Sequence, residues 1–146
     1  PSGSILERGN QQLFTDGGSR GNPGPAGIGF VLMDSSGAII EKGGKFIDTA
    51  TNNVAEYSAL ILGMETALKR EARELTCYSD SELMVRQING QYKVKDAVLK
   101  SYHLKVKNLM SNFKTISFVS VPREKNRLAD KLVNEAIGEA TAKTLL

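Results

Sequence analysis

The chain of 146 residues contains no tryptophan, one cysteine, one histidine and four prolines, and aromatic residues make up only 6% of it. With Cys77 alone no internal disulfide can form, which favours a reducing compartment and leaves the apolar core to hold the fold. Cys77 lies in the run Leu75-Thr76-Cys77-Tyr78 and reads as a buried structural thiol. No run of about 18 apolar residues occurs, and the stretch PSGSILERGNQQ lacks the hydrophobic segment of a signal peptide. A cytoplasmic monomer without a membrane partner is therefore expected. The lone His103 falls beside the apolar stripe of a lysine-bearing helix and is not expected to catalyse.

What is present fits one globular domain. Hydrophobic residues make up 40% and charged residues 24%, close to the globular average. Residues 1–11 read as a tail, 12–142 as the domain and 143–146 as a second tail. The net charge of +3 is unevenly placed, because residues 91–114 carry six lysines against Asp96 alone. Such a cluster is either a solvated helix face or a phosphate-attracting handle with salt-sensitive affinity for nucleic acid.

Short apolar runs at 12–16, 27–33 and 38–47, the last broken by Gly43-Gly44, predict three strands joined by tight turns. From 53 to 70 apolar residues recur at helical spacing, with Thr51 or Asn52 as N-cap. A strand at 75–79, a short helix at 81–88, a helical stripe through Leu99, Tyr102, Val106, Leu109 and Phe113, a strand at 115–121 and a helix at 128–145 follow. Hairpins followed by strand-helix alternation predict an α/β layer with one mixed sheet. In such sheets ligands sit at the carboxyl ends of the strands.

Four acids fall near such positions. Asp16 is expected to close the first strand and Asp80 the fourth, while Glu56 is placed in the first turn of its helix and Asp130 about one turn into the last. Taken singly, each is most simply a turn, cap or helix-dipole residue. Gathered at one sheet edge they would repel one another unless cations were present. Oxygen ligands without histidine or cysteine suit Mg²⁺ or Mn²⁺. Two such ions about 4 Å apart can activate water on one side of a phosphodiester and stabilise the leaving oxygen on the other.

The stretches Thr15-Asp16-Gly17-Gly18-Ser19-Arg20-Gly21-Asn22-Pro23-Gly24-Pro25, Thr51-Asn52-Asn53-Val54-Ala55-Glu56, Ser79-Asp80-Ser81 and Asn126-Arg127-Leu128-Ala129-Asp130 resemble the motifs of type 1 ribonuclease H, in order and interval, over about residues 12–142. The resemblance implies a ribonuclease H-like fold: a five-stranded mixed sheet, strands 1–3 antiparallel and strands 4 and 5 parallel to strand 1, flanked by helices. It implies endonucleolytic cleavage of the RNA strand of RNA/DNA hybrids with two Mg²⁺ ions, replaceable by Mn²⁺, leaving 5′-phosphate and 3′-hydroxyl ends. Double-stranded RNA is a further partner to test. By the same resemblance Asp16, Glu56, Asp80 and Asp130 are the catalytic metal ligands. Gly17, Gly18, Ser19, Asn22, Thr51, Asn52, Asn53, Ser81, Arg123 and Asn126 are expected at the substrate. Amide and backbone groups suit the 2′-hydroxyl that distinguishes RNA from DNA, and residues without Cβ suit close approach of a sugar-phosphate backbone.

The chain also departs from the pattern. Many relatives carry a mobile histidine between the fifth strand and the last helix, where this chain reads Val121-Pro122-Arg123-Glu124-Lys125-Asn126. Arg123 stands nearest, but a guanidinium gives up no proton near neutrality. Glu82 replaces the glutamine usual after Asp80, and residues 91–100 form a short protrusion without tryptophan.

Overall fold

The computed structural model describes residues 9–145. The elements are β1 (Asn10–Ser19), β2 (Gly24–Asp34), β3 (Ile39–Ala50), α1 (Asn52–Lys69), β4 (Glu74–Ser79), α2 (Glu82–Ile88), α3 (Ala97–Met110), β5 (Thr115–Ser120), a 3₁₀ turn (Arg123–Lys125) and α4 (Arg127–Leu145). One five-stranded sheet runs in the order β3-β2-β1-β4-β5. The β1–β2 and β2–β3 pairs are antiparallel, and β4 is parallel to both β1 and β5. The mixed sheet expected from the hairpin-then-alternation pattern is therefore the one observed.

Alternation along β2 assigns the two faces. Ala26 and Ile28 pack with Ala55 and Ala59 of α1, while a Cβ at Gly29 would meet the Ala129 carbonyl of α4 at 2.5 Å. Since successive strand residues point to opposite faces, α1 and α4 cover opposite sides of the sheet. The main core lies on the α1 side, where Leu13, Leu75 and Cys77 meet Leu60, Met64, Met84, Ile88 and Val106. Cys77 is fully buried, and burial pushes its thiol pKa up.

Several boundaries differ from the expected ones, each for a physical reason. β1 begins at Asn10, inside the stretch read as tail, whereas α4 ends at Leu145 as expected. β1 does not close at Asp16, because Gly17, Gly18 and Ser19 go on pairing with Ile28, Gly27 and Ala26. β3 is not broken at Gly43-Gly44 either. Both residues pair with β2, and at Gly44 a Cβ would stand 2.7 Å from the Leu132 carbonyl, so the missing side chain admits α4 without interrupting the strand. Phe113 lies beyond the end of α3, and is buried from the following turn. Of the two cap candidates for α1, Thr51 is the cap, its hydroxyl accepting the Val54 N–H at 3.2 Å. Among the described residues no helix is long and apolar enough to cross a membrane.

Candidate active site

Parallel pairing of β1 with β4 ends at Thr15 and Ser79. The next residue on each strand is an acid, Asp16 and Asp80, so two carboxylates emerge side by side at the carboxyl end of the sheet centre. Asp16 lies on the α4 face, opposite in alternation to Gly17 on the α1 face. Across from it Gly29 lets the α4 backbone approach, which brings Asp130, in the first turn of α4, beside Asp16.

Glu56 arrives from the other side. It is the fifth residue of α1, just past the first turn where it was expected, because the helix starts at Asn52. Its Oε1 accepts the Gly17 N–H at 2.9 Å. That contact needs the helix against the strand: a Cβ on Gly17 would lie 2.2 Å from the Ala55 carbonyl oxygen. Glycine at 17 is thus required first by α1, whereas Gly18 has only Asn52 Oδ1 near, at 3.9 Å, and faces open space.

One oxygen each from Asp16, Glu56 and Asp80 lie within 4.8 Å of one another. Asp130 stands outside this tight trio but lines the same cavity, of about 400 Å³, with Gly17, Gly18, Ser19, Arg20, Asn52, Arg123 and Asn134. Burial, then the charges of Asp80 and Asp130 and the Asp130 hydrogen bond, push the Asp16 pKa up to about 8. Burial followed by the Asp16 and Asp80 charges holds Glu56 well above the ordinary carboxylate range, against the Gly17 N–H and the Arg123 charge, which lower it. A cluster of oxygen donors that resists full ionisation on its own has the chemistry of a divalent-cation site.

The loop residues divide between bracing and presentation. Asn52 Oδ1 accepts from the Ser19 N–H at 2.9 Å and from its hydroxyl at 3.1 Å, and Asn22 Oδ1 accepts the Asn52 N–H at 3.0 Å. The β1–β2 loop is thereby tied to the start of α1, with the amide NH₂ groups of both exposed asparagines left to donate outward. Asn53 is exposed beside them. Thr51 and Ser81 lie outside the cavity wall and cap α1 and α2, Ser81 accepting the Met84 N–H at 3.3 Å.

Asn126 departs most from expectation. It is only 2% exposed and donates to the Thr15 carbonyl at 2.8 Å. Its side chain lines a separate cavity of about 100 Å³ with Phe14, Val31 and Leu128. It therefore braces the strand that carries Asp16 from behind and does not face the acid cavity. His103 is likewise remote, its Nε2 3.2 Å from the Gln87 carbonyl and its ring edge-on to Tyr57. Arg20 and Asn134 were not singled out from the sequence. Asn134 donates to Asp130 Oδ2 at 3.4 Å from one turn further along α4, a contact that the i,i+4 spacing could have revealed.

A mixed sheet in the order 3-2-1-4-5 with carboxylates gathered beyond its central strands defines a nuclease-type fold, and the comparisons agree with it. A family profile described as reverse transcriptase-like matches residues 14–136. The ribonuclease HI of Halobacterium salinarum is 39% identical over 132 residues, which is 90% of this chain and 66% of that protein. A bifunctional protein of Mycobacterium tuberculosis is 43% identical over 88% of this chain and 35% of its own length. The chain thus spans between about a third and two thirds of these curated relatives. Its fold superposes on the N-terminal RNase H domain of the mycobacterial protein with a TM-score of 0.89, at 40% identity, over 94% of this chain and 99% of that one. It matches LC11-RNase H1, solved in complex with an RNA/DNA hybrid, with a TM-score of 0.85 at 44% identity, over 90% and 99%. The chain belongs to the ribonuclease HI family.

Proposed function

We propose that this chain is an endoribonuclease that hydrolyses the RNA strand of RNA/DNA hybrids, leaving 5′-phosphate and 3′-hydroxyl ends. The observation that carries the reading is the convergence of Asp16, Glu56 and Asp80 oxygens within 4.8 Å, with Asp130 on the same cavity. These four carboxylates would hold two Mg²⁺ ions, or Mn²⁺ in their place. Bound there, the ions would supply an activated water and charge stabilisation for the leaving oxygen. The chain's own part is placement. The Gly17 N–H orients Glu56, Asn134 orients Asp130, and the exposed NH₂ groups of Asn22 and Asn52, with Ser19 and the open Gly18 backbone, offer partners for minor-groove 2′-hydroxyls. Arg123, on the cavity wall, would grip a phosphate and transfer no proton. The protein works as a monomer in the cytoplasm, a setting that suits its free, buried Cys77.

The test is incubation with labelled RNA/DNA hybrid, double-stranded RNA and duplex DNA, each in Mg²⁺, Mn²⁺ or EDTA. Internal cuts in the RNA of the hybrid that vanish in EDTA are expected. Hybrid binding without cuts in either metal would sink the reading in favour of a binding module. Cuts in double-stranded RNA would widen the substrate class.

A further inference from the structure

The acid cavity has two cations on its wall, Arg20 and Arg123. Arg123 follows β5, whereas Arg20 sits in the turn between β1 and β2. In the sheet order β2-β1-β4-β5 Arg20 therefore lies on the β1 side of Asp80 and Arg123 on the β5 side. Arg20 directly follows Ser19 at the end of β1, so two strand spacings of about 4.8 Å separate its strand from β5.

Arg20 is held where it is by its backbone. Its N–H donates to the Pro25 carbonyl at 2.8 Å, and the loop on either side is tied to α1 through Ser19 and Asn22. Its guanidinium is exposed and makes neither of the two ion pairs found among the described residues, which join Arg70 to Glu41 and Arg86 to Glu82. An arginine on the wall of a four-carboxylate cavity that stays clear of every carboxylate has its five donors open to a ligand of the same charge as those acids. We propose that Arg20 is a phosphate-binding residue of the nucleic-acid interface, which grips the substrate backbone on the flank of the cavity opposite Arg123. The inference rests on the hybrid-cleavage reading and adds a contact to it. Because it reads phosphate and not bases, its contribution is the same for every sequence.

The experiment compares the whole chain with Arg20→Gln and Arg20→Lys. Binding to a labelled hybrid is followed in EDTA across a salt series, and KM and kcat are measured in Mg²⁺. One phosphate contact accounts for about 0.7–0.9 of the slope of log affinity against log salt, or about fivefold in affinity near 0.15 M salt. Arg20→Gln is expected to lose that slope and raise KM about fivefold, with kcat and melting temperature unchanged, and Arg20→Lys to restore the slope. Paired with Arg123→Gln, the two slope losses should add, since the slope counts the phosphates neutralised. A wild-type salt slope in Arg20→Gln, or equal loss in Arg20→Lys, overturns the assignment. Binding is read without metal, so a wild-type chain that bound but never cut would defeat the nuclease reading and leave this one under test by its slope.

Discussion

Replacing Asp16 by asparagine should make the metal-free protein more stable while ending catalysis. The carboxylate is 7% exposed, and burial with the Asp80 and Asp130 charges lifts its pKa from 3.8 to about 8. Each pKa unit is about 1.36 kcal/mol of preference for the protonated form, so the full shift bounds the penalty of ionisation at about 5–6 kcal/mol. Part of that shift belongs to the neighbouring acids and persists between them in the variant, which leaves about 2–3 kcal/mol for the substitution. The new amide can donate to Asp130. A folded-state pKa above the unfolded one means that between about pH 4 and pH 8 the native chain holds a proton the unfolded chain has lost. Wild-type stability therefore falls as pH rises through that window. The variant's advantage should be absent near pH 4 and complete by about pH 8. Thermal denaturation in EDTA should show a gain of about 6–9 °C there, at about 3 °C per kcal/mol for a chain of this size. Added Mg²⁺ should raise the melting temperature of wild type more than that of the variant. Hybrid cleavage should fall at least about a thousandfold, the loss of several kcal/mol of charge stabilisation. A variant that melts lower than wild type at pH 8 in EDTA, or whose advantage does not change with pH, would refute the argument.

Other substitutions separate support from contact. Gly17→Ala, which sets a methyl 2.2 Å from the Ala55 carbonyl oxygen, should cost about 3 kcal/mol or more in denaturant unfolding, and full stability would mean α1 can retreat freely. Asn126→Ala removes the 2.8 Å bond to the Thr15 carbonyl and should cost about 2 kcal/mol. It should lower kcat with KM held, and a rise in KM alone would restore Asn126 to the substrate surface. Among the exposed lysines of α3, Lys100→Gln with Lys105→Gln should lower the salt slope of hybrid binding by up to about 1.8, and an unchanged slope would make the patch a solvated face. Lys107→Gln instead removes a 2.7 Å bond to the Ile88 carbonyl at the end of α2, so stability read from thermal melting should fall by about 1 kcal/mol; an unaltered melting temperature would count against that anchoring role.

The fold was legible in the sequence wherever periodicity and punctuation agreed. The switch from alternating to helical spacing near residue 52 and the strand-helix alternation after it both match the observed elements. The boundaries that differed were governed by tertiary contact. Gly17 and Gly44 look like punctuation when read locally, yet each stays in its strand because a helix backbone lies where its Cβ would be. Asn126 followed the same logic in reverse. It belongs to a motif with Asp130, but the burial that makes it a brace for Thr15 depends on a strand 111 residues away, and no local spacing reports that.

The acids show why convergence outweighs local type. Asp16 and Asp80 are brought together by parallel pairing that ends one residue before each, Asp130 by a glycine on β2, and Glu56 by a glycine on β1. Two of the four placements therefore depend on residues that carry no chemistry themselves. Large side chains at Gly17 or Gly29 would leave every carboxylate in the sequence and still take the cluster apart, by pushing α1 or α4 off the sheet. The site is thus specified jointly by its acids and by the positions kept small beside them, and Arg20, kept clear of the acids by a braced loop, follows the same rule for charge.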